Sequence, residues 1–223
     1  MSLIGSQKFF PCGRESAPQV LLLCWFGGKV WQMRRMVKVL NKAGYDVTAL
    51  DFPKKVLSTG DATLLPALAD EVTEFARGLV SVGRTPLLIG VSIGGLMALN
   101  IVRRVPEYKS AILITGGDIA KSAPKFYKRA WRQSYEELSE AWKDVNMYTD
   151  PETVHGKNIL FVMHRSSMLI DSNDVRQEIK RQHKAGNSVV VVERKRFGHI
   201  GTIFEETALY PTRLLEYIDI IKE

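Results

Sequence analysis

The chain has 223 residues, 45% hydrophobic and 25% charged, with a formal net charge of +7. This is enough for one domain with a sizeable core and an ordinary globular composition, and the two cysteines, Cys12 and Cys24, are too few for a disulfide scaffold. The longest apolar run, 20–26, is far short of the ~20 residues that cross a bilayer, and the start lacks a secretory pattern, so two free thiols in a reducing cytoplasm are expected.

The first expected element is a buried strand over 19–25, followed by the turn Phe26-Gly27-Gly28 and a helix over 31–43 that Gly44 stops. A glycine-rich turn before a helix offers unpaired amides, and that of Phe26 is a candidate oxyanion donor. A phosphate-binding reading of Gly27-Gly28-Lys29 fails, because Leu23 replaces the first glycine and Val30 the magnesium-holding Ser/Thr. A strand over 46–50 and a long helix over 64–82 come next.

A strand over 86–91 then runs into Gly90-Val91-Ser92-Ile93-Gly94 and a helix over 96–105. Strand, Gly-x-Ser-x-Gly, helix is the context of a nucleophile elbow: the serine stands on a strained turn, and the amide of Ile93 points to where an oxyanion would form.

A strand over 110–115 precedes about forty residues that break the rhythm. Tyr127, Trp131, Tyr135, Leu138, Trp142 and Val145 fall on one helical face, which reads as packing against the sheet, as a cap roofing a pocket, or as both. The remaining expected elements are a strand over 158–163, a helix over 173–185, a strand over 188–193 and a largely helical close over 203–221. Of the four histidines, His155 and His164 suit loop or strand-end positions and His183 a polar helix face. His199, in Phe197-Gly198-His199-Ile200-Gly201 just after the last strand, is the candidate base for Ser92, since open α/β sheets carry their sites at the carboxyl ends of the strands.

The strands are continuous Val/Leu/Ile runs, as in a parallel sheet covered on both faces. The fold class is therefore α/β: a doubly wound, mostly parallel sheet with helices on both faces. One domain spanning 1–223 is expected, with a short helical cap-like insertion at about 119–150 and no repeat or linker.

These parts, in this order, resemble the α/β-hydrolase superfamily over essentially the whole chain, and within it the small serine esterases. Thr115-Gly116-Gly117-Asp118-Ile119-Ala120 and Asp150-Pro151 look like segments that those proteins carry before and within the cap. The resemblance implies an acyl-enzyme route. It also marks two departures. Cys24-Trp25 stands where the family often has His-Gly, and Trp25 would narrow the acyl pocket. In the loop where the family places its acid, Met168 falls on the acid's position. Asp171 is the first substitute, with Asp174 and Asp118 as alternatives; if none reaches His199, a Ser–His dyad remains.

Arg194-Lys195-Arg196 and the group Lys121, Lys125, Lys128, Arg129 and Arg132 read either as solvated surface or as a field that draws anionic substrates to the site. No nucleic-acid motif, metal-ligand cluster or cofactor motif accompanies them. The expectation is a serine hydrolase cleaving a small carboxylic ester or thioester, carboxylesterase-like, without cofactor or metal. A catalytically silent binding protein on the same fold is the alternative. The oligomeric state is left open.

Overall fold

The computed structural model describes residues 2–148, 154–165, 169–195 and 198–222. Seven strands form one sheet in the order β1-β3-β2-β4-β5-β6-β7. They are β1 Ser6–Phe10, β2 Gln19–Phe26, β3 Asp46–Phe52, β4 Leu87–Val91, β5 Ser110–Ile114, β6 Asn158–His164 and β7 Ser188–Arg194. All neighbours run parallel except β1, which pairs antiparallel with β3.

The strands carry apolar side chains on both faces, so each face needs its own helical cover. Leu21, Leu23 and Leu50 face α3 (Leu64–Ser81) and α4 (Ile93–Arg104), whereas Val20, Leu22 and Val47 face α1 (Arg34–Lys42) and α9 (Arg213–Lys222). The expected doubly covered sheet is present. The first crossovers lead from β2 through α1 to β3 and from β3 through α3 to β4; the sheet then grows in the other direction, so the strand order switches at β2 and β4.

Several elements differ from expectation. The edge strand β1 was not foreseen. The helix expected over 31–43 opens as a 3-10 turn, Val30–Met33, because Asp51 Oδ2 accepts the Val30 amide at 3.2 Å and Gln32 Oε1 the Lys29 amide at 2.7 Å. The closing helix over 203–221 is broken into α8 (His199–Phe204), a π turn (Glu205–Leu209) and α9, since Pro211 has no amide to carry it through.

The single aromatic face read over 127–145 is two separate pieces. The helix α5 (Ile119–Phe126) contains Pro124 and ends at Tyr127, and α6 (Tyr135–Ala141) restarts at Ser134, whose side chain and that of Glu137 cap each other's amides. Trp131 and Trp142 meet edge to face at 5.1 Å and donate their indole N–H groups to Leu57 O at 2.7 Å and Ala62 O at 2.8 Å. This part of the insertion is packing; its other part, Phe126 and Tyr127, turns toward Ser92. Between β3 and α3 lies the short α2 (Lys55–Ser58), and α7 (Ser172–Lys184) joins β6 to β7.

Candidate active site

Ser92 is the single residue between the end of β4 and the start of α4, at φ 57° and ψ −116°. That is left-handed backbone, where a side chain is strained and glycine is not. The turn is held by Ser92 N–H donating to Ile114 O at 2.7 Å and Gly95 N–H to Ser92 O at 2.9 Å. Its glycines are sterically required. A Cβ on Gly90 would lie 2.2 Å from Gly94 O, and one on Gly94 would lie 2.2 Å from Leu23 O. The end of the next strand is strained too: Thr115 has φ 57° and leads into Gly116-Gly117.

His199 is the first residue of α8 and is 2% exposed. Its Nε2 lies 3.0 Å from Ser92 Oγ, across 107 residues of sequence. The structure therefore brings together the two side chains that the sequence paired. Burial, and then the neighbouring His164, push the imidazole down from 6.5 to about 3, so it is neutral at ordinary pH. The Phe126 and His164 rings each stand edge-on to it at 5.9 Å.

Asp171 is not beside this pair. It caps α7, accepting the Asn173 amide at 2.8 Å, and is exposed; a chain entering a helix there needs a side-chain acceptor for its first free amides. The expectation that it orients His199 is corrected. Asp174 accepts from Lys121 Nζ at 2.7 Å, and Asp118 caps α5 while accepting from Asn146 Nδ2 at 2.8 Å and Tyr135 OH at 3.2 Å. His199 Nδ1 is buried with no hydrogen-bond partner among the described residues. Met168, Arg196, Phe197, Asp150 and Pro151 lie outside those residues. Asp171→Ala is accordingly expected to cost about 1 kcal/mol of stability, as a lost helix cap, and to leave kcat within about twofold; thermal melts and ester assays of the variant check it.

The polar ring that stands against His199 is His164, the last residue of β6, whose place in the sequence suits a strand-end histidine. Its Nε2 lies 3.3 Å from Ile170 O, and its Nδ1 is also buried and unpartnered. The available signal was position: His164 stands at the carboxyl end of a strand neighbouring the one that leads into His199.

A cavity of about 90 Å³ opens onto Ser92 and His199, walled by Trp25, Phe26, Leu57, Phe126, Tyr127 and Ile170. The turn carrying Phe26 follows an irregularity in the pairing of β2 with β3 between Leu23 and Phe26. Gly27 N–H donates to Phe52 O at 3.2 Å and Gly28 N–H to Trp25 O at 3.0 Å. Ile93 is the first residue of α4, so its amide has no acceptor within the helix. Cys24, fully buried beside Asp51, has its thiol pushed up by burial and is no rival nucleophile.

Two of the basic residues are held by carboxylates. Arg194 Nε is held at 2.6 Å by the buried carboxylate of Glu206, and Lys121 is held by Asp174. Lys125, Lys128, Arg129, Arg132 and Lys195 are exposed, which fits the solvated-surface reading. Among the described residues there is no cluster of three or more metal-ligating side chains and no helix long and apolar enough to cross a membrane.

No protein-family model and no curated protein matches the chain. Solved structures do. Thermogutta terrifontis esterase 2 phosphonylated by sarin superposes with a TM-score of 0.67 at 17% identity, over 96% of this chain and 88% of that one. A carboxylesterase of the thaumarchaeon Nitrososphaera gargenis matches with a TM-score of 0.64 at 16% identity, over 97% and 94%. The Paleococcus ferrophilus monoacylglycerol lipase matches with a TM-score of 0.65 at 15% identity, over 95% and 97%. The chain has the α/β-hydrolase fold.

Proposed function

We propose that the chain is a serine hydrolase that cleaves a small carboxylic ester or thioester through an acyl-enzyme. The observation that carries this reading is the 3.0 Å contact between Ser92 Oγ, on a strained turn, and the Nε2 of a buried neutral His199. A neutral imidazole whose Nε2 accepts the serine proton carries its own hydrogen on Nδ1. Ser92 Oγ then attacks the carbonyl, His199 takes the proton, and it returns that proton to the leaving group; water clears the acyl group by the same steps. The amides of Ile93 and Phe26 are the oxyanion donors. Gly27 N–H bonds to β3, and successive amides of an extended segment point to opposite edges, which supports an orientation of the Phe26 amide toward β4 and Ser92.

Among the described residues no carboxylate bonds to His199, and the proposed site works without one. His164 is the positioning residue in its place. If its Nε2–H donates to Ile170 O, its Nδ1 holds a lone pair, and the buried Nδ1–H of His199 lacks an acceptor. The two groups are complementary but not directly bonded, and one water between them would satisfy both. A neutral ring orients the imidazole but does not stabilise its cation as a carboxylate does, so turnover is expected to be slow. The cavity of about 90 Å³, well under the 300–1,000 Å³ usual for drug-sized ligands, favours a short acyl group. The free thiols Cys12 and Cys24 favour a reducing, cytoplasmic setting.

A fluorophosphonate probe tests the reading. Labelling of the wild type and none of Ser92→Ala is the expected result. Absence of labelling from neutral to alkaline pH, or its persistence in Ser92→Ala, would show instead a catalytically silent protein, the alternative that the unpaired Nδ1 of His199 favours.

A further inference from the structure

A second concavity, of about 450 Å³, adjoins the catalytic cavity and shares Trp25, Ile200 and Ile203 with it. One wall is the 3-10 turn and the start of α1, with Trp31, Arg34 and Arg35; the other is α8 and the π turn, with Phe204 and Ala208. Its apolar side chains are unusually bare: Trp31 is 66% exposed, Ile200 59% and Phe204 57%. Arg35 Nη1 donates to Ala208 O at 2.5 Å and ties the two walls together, whereas the Arg34 side chain is exposed and makes no hydrogen bond or ion pair among the described residues.

The side of the catalytic pair on which this groove lies has a chemical meaning. The general acid must reach the leaving oxygen or sulfur within hydrogen-bond distance, so the leaving group departs over His199 and not over the far side of Ser92. Ile200 follows His199 directly, and Ile203 lies one turn on along the same helix. The groove is thus on the leaving-group side, while the small cavity beside Phe26, Ile93 and Leu57 is on the acyl side. Its volume is that of a site for an extended small molecule, and unpaired Arg34 at its rim matches an anion.

We propose that this groove binds the leaving-group half of the substrate, and that this half is an extended apolar alcohol or thiol bearing an anionic group which Arg34 meets. The proposal rests on the serine hydrolase reading and assigns it a substrate class: a short acyl group on an anionic amphiphile.

Three acetate esters, each kept monomeric, test it: p-nitrophenyl acetate, dodecyl acetate and ω-acetoxydodecyl sulfate. The wild type is expected to favour the sulfated ester over dodecyl acetate in kcat/KM by about tenfold, the order of one charge-assisted contact. Arg34→Glu should abolish or invert that preference. Trp31→Ala should lower both long esters relative to p-nitrophenyl acetate. The proposal is overturned if the wild type hydrolyses p-nitrophenyl acetate but shows no preference for the sulfated chain, or if Arg34→Glu keeps that preference. It is also overturned if the long esters are cleaved only in micelles or vesicles, since the apolar rim would then be a lipid-surface contact. Loss of all Ser92-dependent hydrolysis would instead remove the reading on which the proposal rests.

Discussion

His164→Asp is expected to raise kcat for ester hydrolysis by roughly 10- to 100-fold and to bring a new acid limb into the pH profile. In serine proteases the carboxylate beside the catalytic histidine is worth about 10⁴ in kcat. Here the His164 imidazole stands edge-on to His199 at 5.9 Å, and the proposed mechanism gives it that place. An aspartate there supplies an acceptor for the Nδ1–H and a negative charge for the imidazolium; its shorter reach is why only part of the 10⁴ is expected. The pH dependence follows from the same charge. In the wild type His199 is held at about 3 by burial and by His164, so the base stays deprotonated through the mildly acidic range and activity persists there. A carboxylate in place of His164 moves that value up, so the variant loses activity as pH falls through the raised value. His164→Phe, which keeps bulk but removes the acceptor, should lower kcat with little change in KM. Rates of His164→Asp equal to wild type, with the acid limb unmoved, would remove His164 from the mechanism.

Gly94→Ala is expected to destabilise the fold by about 4 kcal/mol or more, the range reserved for substitutions that break something specific, and so to lower Tm by about 8–16 °C or prevent soluble expression. The added Cβ would sit 2.2 Å from Leu23 O and 2.8 Å from Cys24 O, both backbone atoms at the end of β2 that no rotamer can move. Gly78→Ala is the control. Gly78 lies in α3 with nothing within 4 Å of an added Cβ, so alanine there should stabilise by about 0.5–1 kcal/mol through helix propensity. Calorimetry of the two variants separates steric exclusion at the elbow from a general intolerance of the chain.

The parts of the site that the sequence made legible are those written in local sterics. Gly90 and Gly94 flank Ser92 because the strand-to-helix turn leaves no room for side chains, and that pattern shows in five residues. The parallel sheet was legible because strands buried on both faces must be apolar throughout, as in Leu21-Leu22-Leu23. The edge strand β1 has one partner and four exposed residues, so nothing in Ser-Gln-Lys-Phe-Phe distinguishes it from a loop. The break between α5 and α6 did have a signal, Pro124 followed by the reciprocal cap of Ser134 and Glu137, which the regular spacing of aromatic residues obscured. The surroundings of His199 were the least legible. Asp171 and Asp118 are taken by caps of the helices that follow them, two residues away, and Asp174 by Lys121, 53 residues away in sequence. His164 faces His199 only because β6 and β7 lie side by side with His164 opposite Arg194.

The backbone angles of Ser92 have a further consequence. At φ 57° and ψ −116° glycine is comfortable and serine is not, a difference of about 1–3 kcal/mol. Drift after a loss of catalytic use would carry this position downhill to glycine, and the descendant would be hardier than its ancestor. Among the described residues no aspartate or glutamate bonds to the imidazole, so an uncomfortable hydroxyl kept at this turn supports the reading that its oxygen is still in use.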